Sequence, residues 1–212
     1  MSARELVVLG TASQVPTRYR NHNGYLLRWD GRAVLFDPGE GTQRQMLFAG
    51  ARATEIKRIC VTHFHGDHCL GLPGVLQRSS LDGTSHQLTV HYPQSGEDYF
   101  ARLRYASIYD ERANVMPKPI VTPGLQDDDG TVRVYARPLD HVVDAYGYRI
   151  EEPDGRTMLP ERLAALGITG PHIGELQATG ELRVNGRTVR LEEVSVERRG
   201  QAFACRDGHA AV

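Results

Sequence analysis

With 212 residues, 40% of them hydrophobic, the chain is long enough to bury the core of one domain. Basic and acidic side chains nearly cancel to a formal net charge of -1, which excludes an overall field that draws in nucleic acid or anionic membrane; such contacts must be local. Three cysteines (Cys60, Cys69, Cys205) and no apolar run near the roughly 20 residues of a membrane span suggest a reduced, cytoplasmic protein without membrane contact.

The first forty residues alternate short apolar runs with turn residues. ELVVLG, GYLLRW and AVLFDPG read as strands, and Asp30-Gly31 is a hairpin signal between the last two. TQRQMLFAG then has the make-up of a short helix closed by glycine, and EIKRICVTH reads as a buried strand. LGLPGVLQRSS predicts a helix from about Pro73, QLTVHYP a strand, and GEDYFARLRYASIY a helix with Tyr99, Leu103 and Ala106 on one face. A loop is expected around Asp127-Asp128-Asp129-Gly130, followed by the strands TVRVYARPLDH and AYGYRIEE. Strands outnumber helices, which suggests two layered sheets with helices outside. From Pro153 glycine and proline become frequent, PERLAALG is the one helix expected, and the segment reads as a projection from the body.

The densest chemistry lies in THFHGDHCLGLPGVL, Thr62 to Leu76. His63 and His65 are two residues apart, so on an extended segment they project to one side and can grip one ion. Asp67 and His68 follow and can face a second. Burying four such groups without a partner would cost several kcal/mol, so metal binding is the expected use. His141 closes the strand TVRVYARPLD much as His63 closes EIKRICVT, which makes it a further ligand candidate. Asp37, at the end of AVLFDPG, is a candidate carboxylate for orienting a liganding imidazole.

THFHGDHCLGLPGVL resembles the metal-binding signature of the metallo-β-lactamase superfamily, and with its GL-PG-L extension it resembles the ribonuclease Z family, which matures tRNA 3′ ends. LGTASQVPTRYRN, LFDPGEGTQRQML, LDHVVDAYGYRIEE and TGPHIGELQATG resemble further motifs of that family, from about Leu6 to Ala204. The resemblance implies an α/β fold of the αββα sandwich type, two packed mixed β-sheets with helices outside, as a single domain over 1–212 with a protruding arm at about 153–190. It implies two zinc ions, His63, His65 and His141 holding one, Asp67 and His68 belonging to the second, and Asp67 acting on the attacking water. Glu40, Thr42 and Gln43 of the GEGTQRQ loop would contact substrate, and Gly170 and Pro171 would belong to an arm that holds precursor tRNA, with Arg156, Arg162, Arg187 and Arg190 available to phosphates. Homodimerisation is the associated expectation.

The match departs from the family at two places. Gln177 stands where the family commonly has lysine, and the chain reaches ERRGQAFACRDGHAAV where a bridging aspartate is expected, so that Asp207 and His209 are the only candidates for the remaining ligands. The sandwich is therefore expected to be incomplete at the C-terminus. Besides a tRNA 3′-processing endonuclease, two readings stay open: a hydrolase of small phosphodiesters, and a catalytically deficient RNA-binding or dimerising homologue.

Overall fold

The computed structural model describes residues 4–206. β1 (Arg4–Gly10) pairs antiparallel with β2 (Gly24–Trp29), which turns back into β3 (Arg32–Phe36). The turn is the expected Asp30-Gly31 pair: φ is 51° and 78°, the two left-handed residues that match the twist of a two-residue hairpin. Beyond β3 the sheet becomes parallel, adding β4 (Ile56–Cys60), β5 (Gln87–Pro93) and β6 (Asn114–Ile120), so that six strands lie side by side in chain order.

Parallel neighbours need crossovers, and helices supply them. α1 (Thr42–Phe48) joins β3 to β4; α2 (Gly66–Cys69) and α3 (Leu72–Leu81) join β4 to β5; α4 (Glu97–Arg104) leads to β6. Met46 of α1, Leu76 of α3 and Phe100 of α4 are buried in one cluster with Leu26, Ile59 and Val90 of the sheet. Each such side chain contributes about 1.5–3 kcal/mol of burial, which fixes the helices on this face.

Two expectations need correction here. α4 stops at Arg104, short of the expected Tyr109, and it buries Phe100 with Leu103 half-buried, while Tyr99 and Ala106 are exposed. β6 went unread because NVMPKPI carries Pro117 and Pro119. It is an edge strand, and nitrogens two residues apart face the same side, where no neighbour needs a donor.

The chain continues through β7 (Gly124–Asp128), β8 (Arg133–Pro138) and β9 (Tyr146–Glu151). Asp127 and Asp128 thus end a strand, contrary to the expected loop. Asp127 belongs there because its carboxylate meets Arg58 Nε and Lys118 Nζ, both at 2.8 Å, contacts made across the fold that local sequence does not announce.

Two compact units result. One takes the chain up to Asp128, Val134–Ile150 and the chain from Phe203; the other takes Asp129–Arg133 and Glu151–Ala202. The second unit contains β10 (Gly155–Met158), α5 (Pro160–Ala165), α6 (Pro171–Thr179), the hairpin of β11 (Glu181–Val184) and β12 (Arg187–Arg190), and β13 (Ser195–Arg198) paired antiparallel with β10. It has its own buried cluster, including Leu163, Ile168, Leu176, Val189 and Val194. α6 is a second helix where one was expected. Pro171 opens it and Gly180, left-handed, closes it, a frame of caps around a stretch whose apolar stripe is short.

β14 (Ala202–Cys205) completes a four-stranded sheet in the order β14-β9-β8-β7. This sheet faces the first one through aromatic contacts: Phe36 lies 6.4 Å from Tyr148 and 5.8 Å from Phe203 between ring centroids. The expected sandwich of two packed sheets with helices outside is the architecture found.

Candidate metal centre

The centre gathers beyond the C-terminal ends of β3, β4 and β8, where ligands of open parallel sheets commonly sit. His63 follows β4 by three residues and His141 follows β8 by three, so both stand in loops just past strand ends instead of closing the strands themselves. His65 precedes α2, and Asp67 and His68 lie within it. His63, Asp67 and His68 are buried, while His65 and His141 are partly open to solvent.

His63, His65 and His141 each offer one ring nitrogen, and the three nitrogens lie within 4.8 Å of one another. His63 Nε2 is 2.9 Å and His141 Nε2 3.4 Å from His65 Nδ1. Around a tetrahedral zinc with bonds of about 2.0–2.1 Å, neighbouring ligand atoms stand about 3.3 Å apart, so the spacing fits a single ion. Ring nitrogens this close need a proton or a cation between them.

Asp37 decides which ring nitrogens carry lone pairs. Its buried carboxylate accepts from Thr62 N at 2.7 Å, from Thr62 Oγ1 at 2.9 Å, and from His68 Nδ1 at 2.9 Å. A carboxylate only accepts, so His68 carries its proton on Nδ1 and presents a lone pair at Nε2. The Thr62 hydroxyl spends its hydrogen on Asp37 and therefore accepts from His63 Nδ1, 2.9 Å away, which leaves the His63 lone pair on Nε2 as well. One side chain thus sets the tautomers of two ligands. Asp37, expected to orient a liganding imidazole, hydrogen-bonds the His68 ring, and its reach to His63 through Thr62 was not foreseen.

Glycines bring the loops this close. A Cβ on Gly39 would stand 2.1 Å from the Asp67 carbonyl oxygen, and one on Gly71 would stand 2.0 Å from the Gly39 carbonyl oxygen. DPGEG and GLPG are therefore packing motifs that press the loop after β3 onto α2. Cys69 stands apart from the triad: Sγ donates to the His65 carbonyl at 3.2 Å, and burial, with Asp37 and Asp67 adding to it, pushes its thiol up to about 12.

Asp67 Oδ2 lies 3.5 Å from His68 Nε2, so these two share one place beside the histidine triad. Among the described residues the triad is the group of three or more ligand-type side chains that can converge on an ion; Asp67 and His68 do not find a third. Asp207 and His209 lie outside the described residues. Of the GEGTQRQ loop, Glu40 is exposed and lines an open pocket with His22, His65 and Asp67. Thr42 is fully buried and its hydroxyl donates to the Gly39 carbonyl at 2.7 Å, so it braces the loop and offers nothing to a substrate. Gln43 points at α3, where a Cβ on Gly74 would meet its Oε1 at 3.1 Å.

In the second unit, Gly170 (φ 56°, ψ -130°) and Pro171 form the exposed start of α6, a backbone geometry that suits only glycine. Arg156 and Arg162 are engaged internally, donating to Ser195 Oγ at 2.7 Å and the Glu193 carbonyl at 3.0 Å, and Arg187 pairs with Glu193. Three of the four arginines expected to meet phosphates thus hold their own unit together. Asn21 and Asn23 were overlooked altogether: Asn21 Nδ2 donates to the Glu40 carbonyl at 2.7 Å, and Asn23 Nδ2 lies 3.1 Å from His68 Nε2.

A two-sheet sandwich with a histidine triad beyond its strand ends is an α/β fold whose triad could hold a metal ion. Residues 17–160 match the model of the metallo-beta-lactamase superfamily. The chain is 62% identical over 205 residues to ribonuclease Z of Nocardia farcinica and 60% identical over 204 residues to that of Salinispora arenicola. Those alignments cover 96% of this chain and 67% and 66% of the respective relatives. The crystal structure of the short form of human tRNase Z superposes with a TM-score of 0.62 at 28% identity, covering 69% of this chain and 64% of that one. The chain belongs to the ribonuclease Z family of the metallo-beta-lactamase superfamily. It spans about two thirds of the length of the curated relatives it matches. Among the described residues no helix is long and apolar enough to cross a membrane.

Proposed function

We propose that the chain carries the metal centre of an endoribonuclease that matures the 3′ ends of precursor tRNA, with zinc as the metal. The observation that carries this reading is the triad, with the His63 lone pair set by Asp37 through Thr62, in a chain 50–62% identical to proteins named ribonuclease Z. Three imidazole ligands suit zinc above magnesium or calcium, which prefer oxygen. Bound zinc would supply an acidified water and a positive charge for the phosphodiester. Asp67, at the edge of the pocket lined by Glu40 and His65, orients the attacking water and takes up its proton. Asp37 and Thr62 hold His63 and His68 in register throughout. Asp67 and His68 contribute to a second ion.

The segment 153–190 is the tRNA arm in this reading, supported by a unit with its own core and by the exposed Gly170-Pro171 corner of α6. A cytoplasmic homodimer is the form in which we expect it to act. The test is cleavage of a precursor tRNA with zinc present, beside His63→Ala. We expect the variant to lose both cleavage and one equivalent of zinc. Undiminished zinc content in that variant would remove the basis of the proposal.

A further inference from the structure

Asn23 is 5% exposed, and its amide lies between His68 and Tyr25. Nδ2 stands 3.1 Å from His68 Nε2, and the Tyr25 hydroxyl donates to Asn23 Oδ1 at 3.5 Å. The direction of each proton follows from Asp37. In the neutral ring that donates from Nδ1 to that carboxylate, Nε2 is an acceptor, and the amide meets it with its NH2 while its oxygen faces Tyr25. The Asn23 backbone is pinned separately, its carbonyl accepting from Gly39 N at 2.9 Å, so only the side chain is free to turn.

The lone pair that the amide occupies is the one His68 has for an ion, on the side where Asp67 Oδ2 stands 3.5 Å away. A nitrogen lone pair serves one strong partner at a time. The amide proton and a cation therefore compete for it.

We propose that Asn23 is a positioning residue that latches His68 in the metal-free protein, so that loading the place shared by Asp67 and His68 requires the amide to let go. This rests on the reading of His68 as a metal ligand. The latch keeps the ring aimed and its partner satisfied before metal arrives, and it lowers the affinity of that position by the worth of one hydrogen bond.

Zinc titration of the full chain against a competing chelator tests it, with His68→Ala used to identify the step that belongs to this position. In Asn23→Ala that step should tighten about fivefold, the equivalent of one ordinary hydrogen bond, while the step assigned to the histidine triad stays unchanged. The metal-free variant should also melt lower than the wild type, with the gap narrowing on zinc saturation. Tyr25→Phe, which frees the amide without touching His68, should shift the same step in the same direction by less, and it decides the matter if Asn23→Ala does not fold. An unchanged or weakened step in the variants would overturn the latch. A wild-type protein with no zinc step that His68→Ala removes would instead overturn the reading of His68 as a ligand, and the latch with it.

Discussion

Asp37→Asn swaps one oxygen of a buried carboxylate for an NH2, and its consequences can be followed atom by atom. The carboxylate accepts three hydrogen bonds of 2.7–2.9 Å, two of them at Oδ2. If the asparagine oxygen keeps Thr62 N, its NH2 confronts the Thr62 hydroxyl and His68 Nδ1, both donors. His68 must then move its proton to Nε2. The Thr62 hydroxyl, now accepting, turns its hydrogen to His63 Nδ1 and moves that proton to Nε2 too. The opposite rotamer sets NH2 against the Thr62 N–H, a clash of donors at 2.7 Å. Either way the protein loses charge-assisted bonds worth about 1.5–3 kcal/mol each, and the first rotamer protonates both nitrogens meant for metal. Zinc affinity should fall by about 10–100-fold, the usual scale for losing the partner of a metal-bound histidine, and the metal-free protein should melt lower. Chelator competition and thermal melting measure both. A zinc affinity within twofold of wild type would refute the claim that Asp37 sets the tautomers.

Gly39→Ala places a Cβ 2.1 Å from the Asp67 carbonyl oxygen and 2.7 Å from His22 Cβ, and both obstacles are part of the site. We expect a loss of about 2–4 kcal/mol in chemical denaturation together with weakened zinc binding, and an unperturbed variant would show that the loop and α2 are not pressed together. His91 is fully buried on β5, and burial, opposed by Asp127 and reinforced by Lys118 and Arg58, lowers its pKa to about 4. Unfolding restores the ordinary value, so between about 6.5 and 4 the unfolded chain binds more protons and stability falls with pH. The His91 share is about 2 kcal/mol between pH 7 and pH 5. His91→Leu should flatten that acid limb in urea midpoints measured at both pH values, and an identical limb in the variant would exclude His91 as its cause.

The hairpin, the helices after β3 and β4, and the cluster of candidate ligands were legible because each depends on residues close together in sequence. Asp30-Gly31 sets its own turn, and His63, His65, Asp67 and His68 advertise themselves by crowding. His141 was legible only by analogy of position, since 76 residues separate it from His65. What could not be read depends on partners brought up by the fold. Asp127 looks like a loop residue until Arg58 and Lys118 reach it across strands, and Thr42 looks like a substrate contact until its hydroxyl is seen to brace Gly39. Asn23 and Thr62 carry no local signal at all; an asparagine before a strand and a threonine after one are ordinary. Their roles exist only because the loops after β3 and β4 converge on α2.

The charge balance of the fold makes a separate argument for a cation. Buried or half-buried carboxylates elsewhere in this chain have cationic side chains against them: Asp127 meets Arg58 and Lys118, Glu55 meets Arg28, and Glu111 meets Arg104. Those pairings hold the three carboxyls below their ordinary range. Asp37 and Asp67 are buried more deeply, at 2% and 7% exposure, and among the described residues the ion-pair partner of each is His68. Neither carboxyl has an arginine or lysine against it among the described residues, unlike Asp127, Glu55 and Glu111. A divalent ion held by the neighbouring imidazoles would place positive charge beside both carboxyls.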